Sequence, residues 1–353
     1  MQSYNCKLCG AELYWDAKAG CLKCEYCDSE YQVTDFEDAT TTKEKVADES
    51  IQETEYLAED VGEGMVAYQC KKCSGTVITS KTTMADICPY CGEAMFITSK
   101  SVGEFRPRFL IPFNIEKKAA KGIYQEYVKK AAYAPSSFKA DNIVEKMQGL
   151  YAPFYLHDVD NQSAHEFTGE IVTKHKSGDY MISKHDVYAL NAVIDCKYQR
   201  LPTDASERLD DYMMRCIEPY SYEHVKEYNP AYMSGFLAEQ SDVEQTKIDE
   251  MAVSRTKEGN HSKARGLFSK YSSVTDKSNQ YKIISHEKDY TMLPIWLLNV
   301  AHGGKKYQFA INGQTGKITG KLPLDIKKVS IVSGITFFAT DIVMALLQLG
   351  GVF

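Results

Sequence analysis

Positive charge is in short supply in this chain. Lys and Arg number 41 against 48 Asp and Glu, a formal net charge of −7, so composition lends no support to broad nucleic-acid binding. Several catalytic signatures are missing too. No nucleophile elbow, no H-E-x-x-H helix and no dinucleotide fingerprint occurs in the 353 residues, which removes the commonest hydrolase, zinc-protease and dehydrogenase readings. The nearest approach to a phosphate loop is Gly313-Gln314-Thr315-Gly316-Lys317. It has Ile311 where glycine is required and Ile318 where Ser or Thr would meet magnesium. Met1-Gln2-Ser3-Tyr4 carries neither a basic nor an apolar leader, so secretion is not expected.

What the chain has instead is one cysteine pattern written twice. Cys6-x-x-Cys9 with Cys24-x-x-Cys27 returns, displaced along the sequence, as Cys70-x-x-Cys73 with Cys88-x-x-Cys91. The register carries neighbours with it: Tyr4 falls on Tyr68, Lys7 on Lys71 and Tyr26 on Tyr90. Cys21 falls on Ala85, which leaves it outside the ligand set. Two such pairs bring four thiolates to one tetrahedral Zn2+, and four sulfur ligands leave no open position, so both sites are expected to be structural. A segment this short cannot bury enough apolar surface to fold alone, so metal binding supplies folding energy. Disulfides are disfavoured without a leader, and a redox motif would show one pair beside a βαβ unit. Cys21, Cys196 and Cys216 share no motif and read as ordinary reduced thiols.

Between the two sets, residues 34–66 are rich in Asp and Glu with only Lys43 and Lys45 opposing them, the composition of a solvated tether. A globular pattern follows. Residues 105–115 and 151–156 have the apolar and aromatic content of strands, and 116–134 has the spacing of a helix. Residues 166–174 and 180–190, flanking Lys176-Ser177-Gly178-Asp179, predict a hairpin. Asp204-x-x-Glu207 is a capping-box pattern predicting a helix to about 217, and Ser241-x-x-Glu244 predicts another through about 257. Residues 259–278, rich in Lys, Ser and Asn, read as mobile. Residues 293–300 and 305–311 predict paired strands, with Asn312-Gly313 turning into a third. His165, His175 and His185 are evenly spaced, but no supporting ligand pattern makes them a metal site. Phe105-Arg106-Pro107-Arg108-Phe109 reads as packing rather than a nucleic-acid face.

The last stretch, 329–353, holds a single charge, Asp341, and follows Lys321, Lys327 and Lys328. Its length matches the ~20 apolar residues needed to cross a bilayer. The lysines would stay cytoplasmic, and Asp341 would face a partner helix. The expected fold class is therefore α+β. It comprises two N-terminal rubredoxin-like zinc ribbons (1–33 and 67–100), the acidic linker, a mainly antiparallel β domain (101–325) and a C-terminal transmembrane helix (329–353). The β domain would carry a helical insertion at about 204–280.

As a set, the paired ribbons and several short runs resemble a family of bacterial TFIIB-type zinc-ribbon proteins, often labelled primosomal protein N′ or replication-factor-Y-like helicases. The runs are Ile111-Pro112-Phe113, Tyr151-Ala152-Pro153-Phe154-Tyr155, Ile217-Glu218-Pro219-Tyr220, Gly235-Phe236-Leu237-Ala238-Glu239, Leu293-Pro294-Ile295-Trp296-Leu297-Leu298-Asn299 and Asn312-Gly313-Gln314-Thr315-Gly316-Lys317. The resemblance implies a membrane-attached cytoplasmic protein that anchors stress-response partners, and only the eight ribbon cysteines carry over as functional residues. The helicase label finds no motor motif here. The expected function is a non-enzymatic, single-pass, cell-membrane adaptor whose zinc-held ribbons recruit a protein partner from the cytoplasm. The alternative is a zinc-ribbon regulator binding nucleic acid through Lys7, Lys18, Lys23, Lys71, Lys72 and Lys81, without helicase activity.

Overall fold

A computed structural model describes residues 4–36, 59–62, 65–69, 76–80, 82–87, 94–96, 106–140 and 144–349. The strands are β1 (Leu13–Asp16), β2 (Cys21–Cys24), β3 (Glu30–Tyr31), β4 (Glu59–Gly62), β5 (Met65–Gln69), β6 (Thr76–Ser80), β7 (Thr83–Ile87), β8 (Ala94–Phe96), β9 (Phe109–Leu110), β10 (Gln148–Ser177), β11 (Tyr180–Asp204), β12 (Lys226–Glu227), β13 (Leu237–Glu239), β14 (Ser273–His302), β15 (Lys305–Asn312) and β16 (Ile318–Gly320). Among the described residues four α-helices accompany them: α1 (Lys117–Lys130), α2 (Asp211–Cys216), α3 (Gln245–Gly266) and α4 (Ile326–Leu349).

Three long strands carry the fold. β10 pairs antiparallel with β11 from Phe154↔Asp204 to Ser177↔Tyr180, and with β14 from Gln148↔Leu297 to Glu170↔Ser273. β14 then turns through Gly303 and Gly304, both at positive φ, into β15, and β15 into β16. The burial of β10 changes along its length in step with what covers it. Residues 149–157 are buried on both faces, 158–169 alternate, and the tip beyond Lys174 is exposed. Only the first part lies inside the main core, where Phe113, Tyr151, Phe236 and Trp296 interlock. The Phe113 and Phe236 rings stack at 4.1 Å. Gly149 is required here, since a Cβ on it would lie 2.5 Å from the Phe236 ring.

Helix α3 covers the alternating part. Its buried residues fall at every fourth position, Ile248, Ala252, Thr256, Asn260 and Ala264, which is one narrow face of a helix. Two of those five residues, Thr256 and Asn260, are polar, and the sheet answers in kind. Asn260 Nδ2 donates to Asn161 Oδ1 (2.5 Å) and Ser163 Oγ (3.0 Å), while the Tyr198 hydroxyl donates to Asn260 Oδ1 (2.9 Å). Burying such groups is tolerable where they find partners, and Asn161 Nδ2 is the seam group that finds none among the described residues.

The structure differs from the sequence reading in several places. The molecule is mostly β rather than of the expected α+β class, because the three long strands outweigh the helices. Asp204 ends β11 instead of capping a helix; the short helix α2 is capped by Asp210, whose side chain accepts from the Met213 amide. Residues 259–278 are not a mobile segment, since α3 continues to Gly266 and β14 begins at Ser273. The transmembrane expectation is overturned: no helix among the described residues is long and apolar enough to cross a membrane. α4 opens with Lys327 and Lys328 and carries Ser330, Ser333, Thr336, Thr340 and Asp341. Thr336 and Thr340 turn their hydroxyls onto the helix's own carbonyls. The single-pass cell-membrane placement, and the orientation drawn from its lysines, fall with that helix.

Candidate metal centre

The first cysteine set converges. Cys6 and Cys9 bracket one tight turn, with the Gly10 amide donating to the Cys6 carbonyl (2.9 Å) and Gly10 at φ +74°. Cys24 and Cys27 bracket the other, where the Asp28 amide donates to the Cys24 carbonyl (3.0 Å). The strands β1, β2 and β3 hold the two turns face to face. Sγ–Sγ distances are 3.5 Å for Cys6–Cys27, Cys9–Cys24 and Cys9–Cys27, and all four sulfurs lie within 4.8 Å of one another. A tetrahedral ion at ~2.3 Å from each sulfur sets its ligands about 3.8 Å apart, so these four fit a metal with small adjustment. Cys21 lies outside the group, buried on β2.

The surroundings favour a cation. The Leu8 amide donates to Cys6 Sγ (3.4 Å), and the Tyr31 hydroxyl (3.3 Å) also meets that sulfur. Tyr31 is the main reason the Cys6 thiol is pulled down to about 5. Ser29 likewise lowers Cys27, its hydroxyl lying 2.8 Å from the sulfur. Cys9 moves the other way. An amide contact at Ala11 favours its thiolate, but burial and the three neighbouring sulfurs outweigh it and push it up to about 12. Crowded thiols cannot all ionise beside one another; an ion at their centre removes that conflict.

This ribbon is seated on the β domain. The Trp15 indole N–H donates to the Phe113 carbonyl (3.0 Å) and its ring meets Tyr232 edge-on at 4.8 Å. The Trp15 amide donates to the Ser234 carbonyl. The two turns carry exposed apolar residues: Leu8 is 79% and Tyr26 83% exposed. The second set, Cys70, Cys73, Cys88 and Cys91, lies outside the described residues. The strands around it are described, and β7 joins the main sheet beside β13 through Ala85↔Ala238.

The evenly spaced histidines do not converge. His165 stacks on Phe167, His185 meets Glu170 Oε1 at 2.5 Å, and His175 is exposed near the hairpin tip. Gly313 to Lys317 form a turn organised by Asn312, whose Oδ1 accepts from the Gln314 and Thr315 amides (2.9 Å each). A different trio does come together, His157, Asp249 and His286. Burial is the main cause that pushes the His157 ring down to about 3, leaving it neutral. No spacing signal marks this trio, because its members come from two strands and a helix that only tertiary structure brings together.

No family model matches the chain and no solved structure does. It is similar to the uncharacterized protein YdjG of Bacillus subtilis (strain 168), at 28% identity over 99% of both chains.

Proposed function

We propose that the chain is a non-enzymatic zinc-ribbon adaptor that recruits a protein partner. Zn2+ held by Cys6, Cys9, Cys24 and Cys27 fixes the two turns, and a second structural Zn2+ on Cys70, Cys73, Cys88 and Cys91 fixes their counterparts. The observation that carries the reading is the pair of apolar tips. Leu8 and Tyr26 occupy the same place in their respective turns, stand free in solvent, and are mounted on a scaffold whose other face is locked by Trp15. Apolar groups held rigid lose little entropy on binding, which is how a small patch becomes a recognition surface. The resemblance to TFIIB-type zinc-ribbon proteins supports the same reading.

Nucleic-acid binding is less well served. Lys7 Nζ donates to the Asp35 carbonyl (2.7 Å), and Lys23 pairs with Asp28 at 3.4 Å, so two ribbon lysines are engaged within the ribbon. The test is elemental analysis followed by site-specific photo-crosslinking from positions 8 and 26. Two zinc equivalents are expected, along with a crosslinked protein partner that Leu8→Ser with Tyr26→Ser abolishes while zinc content stays intact. Retention of the same partner by that double variant would sink the adaptor reading. Salt-dependent capture of nucleic acid instead would favour the regulator.

A further inference from the structure

Beneath α3, at the boundary between the apolar core and the polar seam, two histidines from neighbouring strands approach ring to ring. His157 on β10 lies diagonally across from His286 on β14, His157 being opposite Lys288 and Val159 opposite His286 in the register. His157 Nδ1 stands 2.8 Å from His286 Nε2. Asp249 on the first turns of α3 closes the group, its carboxylate lying with both nitrogens inside 4.8 Å. His157 is wholly buried, while His286 and Asp249 are half-buried, so two of the three remain open to solvent in part.

We propose that His157 Nδ1, His286 Nε2 and the Asp249 carboxylate bind a divalent transition-metal ion of the Zn2+ class, at a site separate from the cysteine ribbons. Two imidazoles and one carboxylate select zinc, cobalt, nickel or ferrous iron over calcium or magnesium, which demand oxygen shells. The outer contact needed to orient a ligating imidazole is in place: His157 Nε2 lies 2.8 Å from Thr203 Oγ1. With Nδ1 on the metal, the proton resides on Nε2 and is donated to that hydroxyl. Two nitrogens on one zinc at ~2.0–2.1 Å sit roughly 3.3 Å apart. The rings must therefore part by about half an ångström, which the half-buried His286 can supply by rotation. Three protein ligands leave a fourth position for water or a small ligand.

One group competes. Lys288 Nζ donates to Asp249 Oδ1 at 2.7 Å while lying over the Tyr155 ring. It occupies one carboxylate oxygen, and its side chain is 26% exposed, so it can swing to solvent when a cation enters. Without a metal the same residues form a hydrogen-bonded histidine pair beside a lysine–aspartate ion pair. The two descriptions make opposite predictions for Lys288.

The test titrates Co2+ into the full chain after its thiolate sites have been filled with Zn2+. One further equivalent is expected, with visible bands lacking thiolate charge transfer. His286→Ala and Asp249→Asn should each weaken that uptake at least tenfold. Thr203→Val should weaken it by about 10- to 100-fold, and Lys288→Met should tighten it several-fold. Circular dichroism and the zinc content of each variant report folding and the ribbon sites independently. No further equivalent, or uptake that neither His286→Ala nor His157→Gln diminishes, overturns the site. So does Lys288→Met leaving affinity unchanged or weaker. None of these results bears on the ribbons, whose metal is read by its thiolate signature.

Discussion

Asp204 ends β11 opposite Phe154 with 5% of its surface exposed. Burial first, and the charge of Asp211 second, raise its carboxyl from 3.8 to about 7, with Arg255 opposing them. The sign follows from proton linkage. Between about pH 4 and pH 7 the folded chain holds a proton that the unfolded chain has released, so stability falls as pH rises through that window. Three pKa units correspond to at most roughly 4 kcal/mol. Asp204→Asn should therefore stabilise the protein at pH 8 and make little difference at pH 4, as read by urea denaturation at both pH values. An equal effect at both would show that the carboxyl is not protonated in the folded chain. Read as sequence, Asp204 looks like a helix cap because Glu207 follows it at capping-box spacing. The pattern is local, whereas pairing with β10 claims the residue first. Nothing in its neighbours announces that a carboxylate there will be buried.

At the scale of elements, α3 is held by ion pairs as well as by its polar seam, and the least exposed of those pairs among the described residues joins Arg255 to Glu218. Arg255 forks onto Glu218, Nη1 to Oε1 at 2.9 Å and Nη2 to Oε2 at 2.7 Å, and also donates to the Pro202 carbonyl. Both side chains are about one-sixth exposed, at 16% and 17%. Removing one partner strands the other charge, so Arg255→Met should cost about 3–5 kcal/mol, and the double change with Glu218→Met should recover most of that. Equilibrium denaturation of the four chains of the cycle decides it; additive losses would mean the pair does not act as a unit. The elements themselves were unevenly legible. The hairpin at 176–179 and the strands 293–300 and 305–311 are visible because alternation and turn residues coincide there. The first half of β14 is not. Residues 273–286 are solvated on much of their surface, so no apolar alternation marks them, and only pairing with β10 makes them a strand. α4 misleads for the opposite reason: its apolar residues are plain to see, while the serines and threonines that interrupt them weigh little in a count of charges.

For the whole molecule, the ribbon is joined to the β domain by Trp15 and closed internally by its four cysteines. Chelation should unseat it while sparing the long strands. Hydrogen exchange after metal removal is expected to show protection lost over residues 4–36 and kept in the core parts of β10 and β14. Loss of protection throughout would mean that metal and β core fold as one unit, whereas unchanged protection over 4–36 would mean that the seat alone holds the ribbon. The cysteine pattern made the grouping of Cys6, Cys9, Cys24 and Cys27 legible, because two matched sets leave few ways to assign them. The seat was not legible, since Trp15, Phe113, Tyr232 and Ser234 lie far apart in sequence and follow no period. That separation bears on how the protein is made. The ribbon leaves the ribosome before its seat, and the surface that receives Trp15 is incomplete until synthesis has passed Ser234. Throughout that interval an indole meant for the interior has no place to go, and an ion taken up by the four thiols, as proposed above, would give the N-terminal ribbon a shape to wait in.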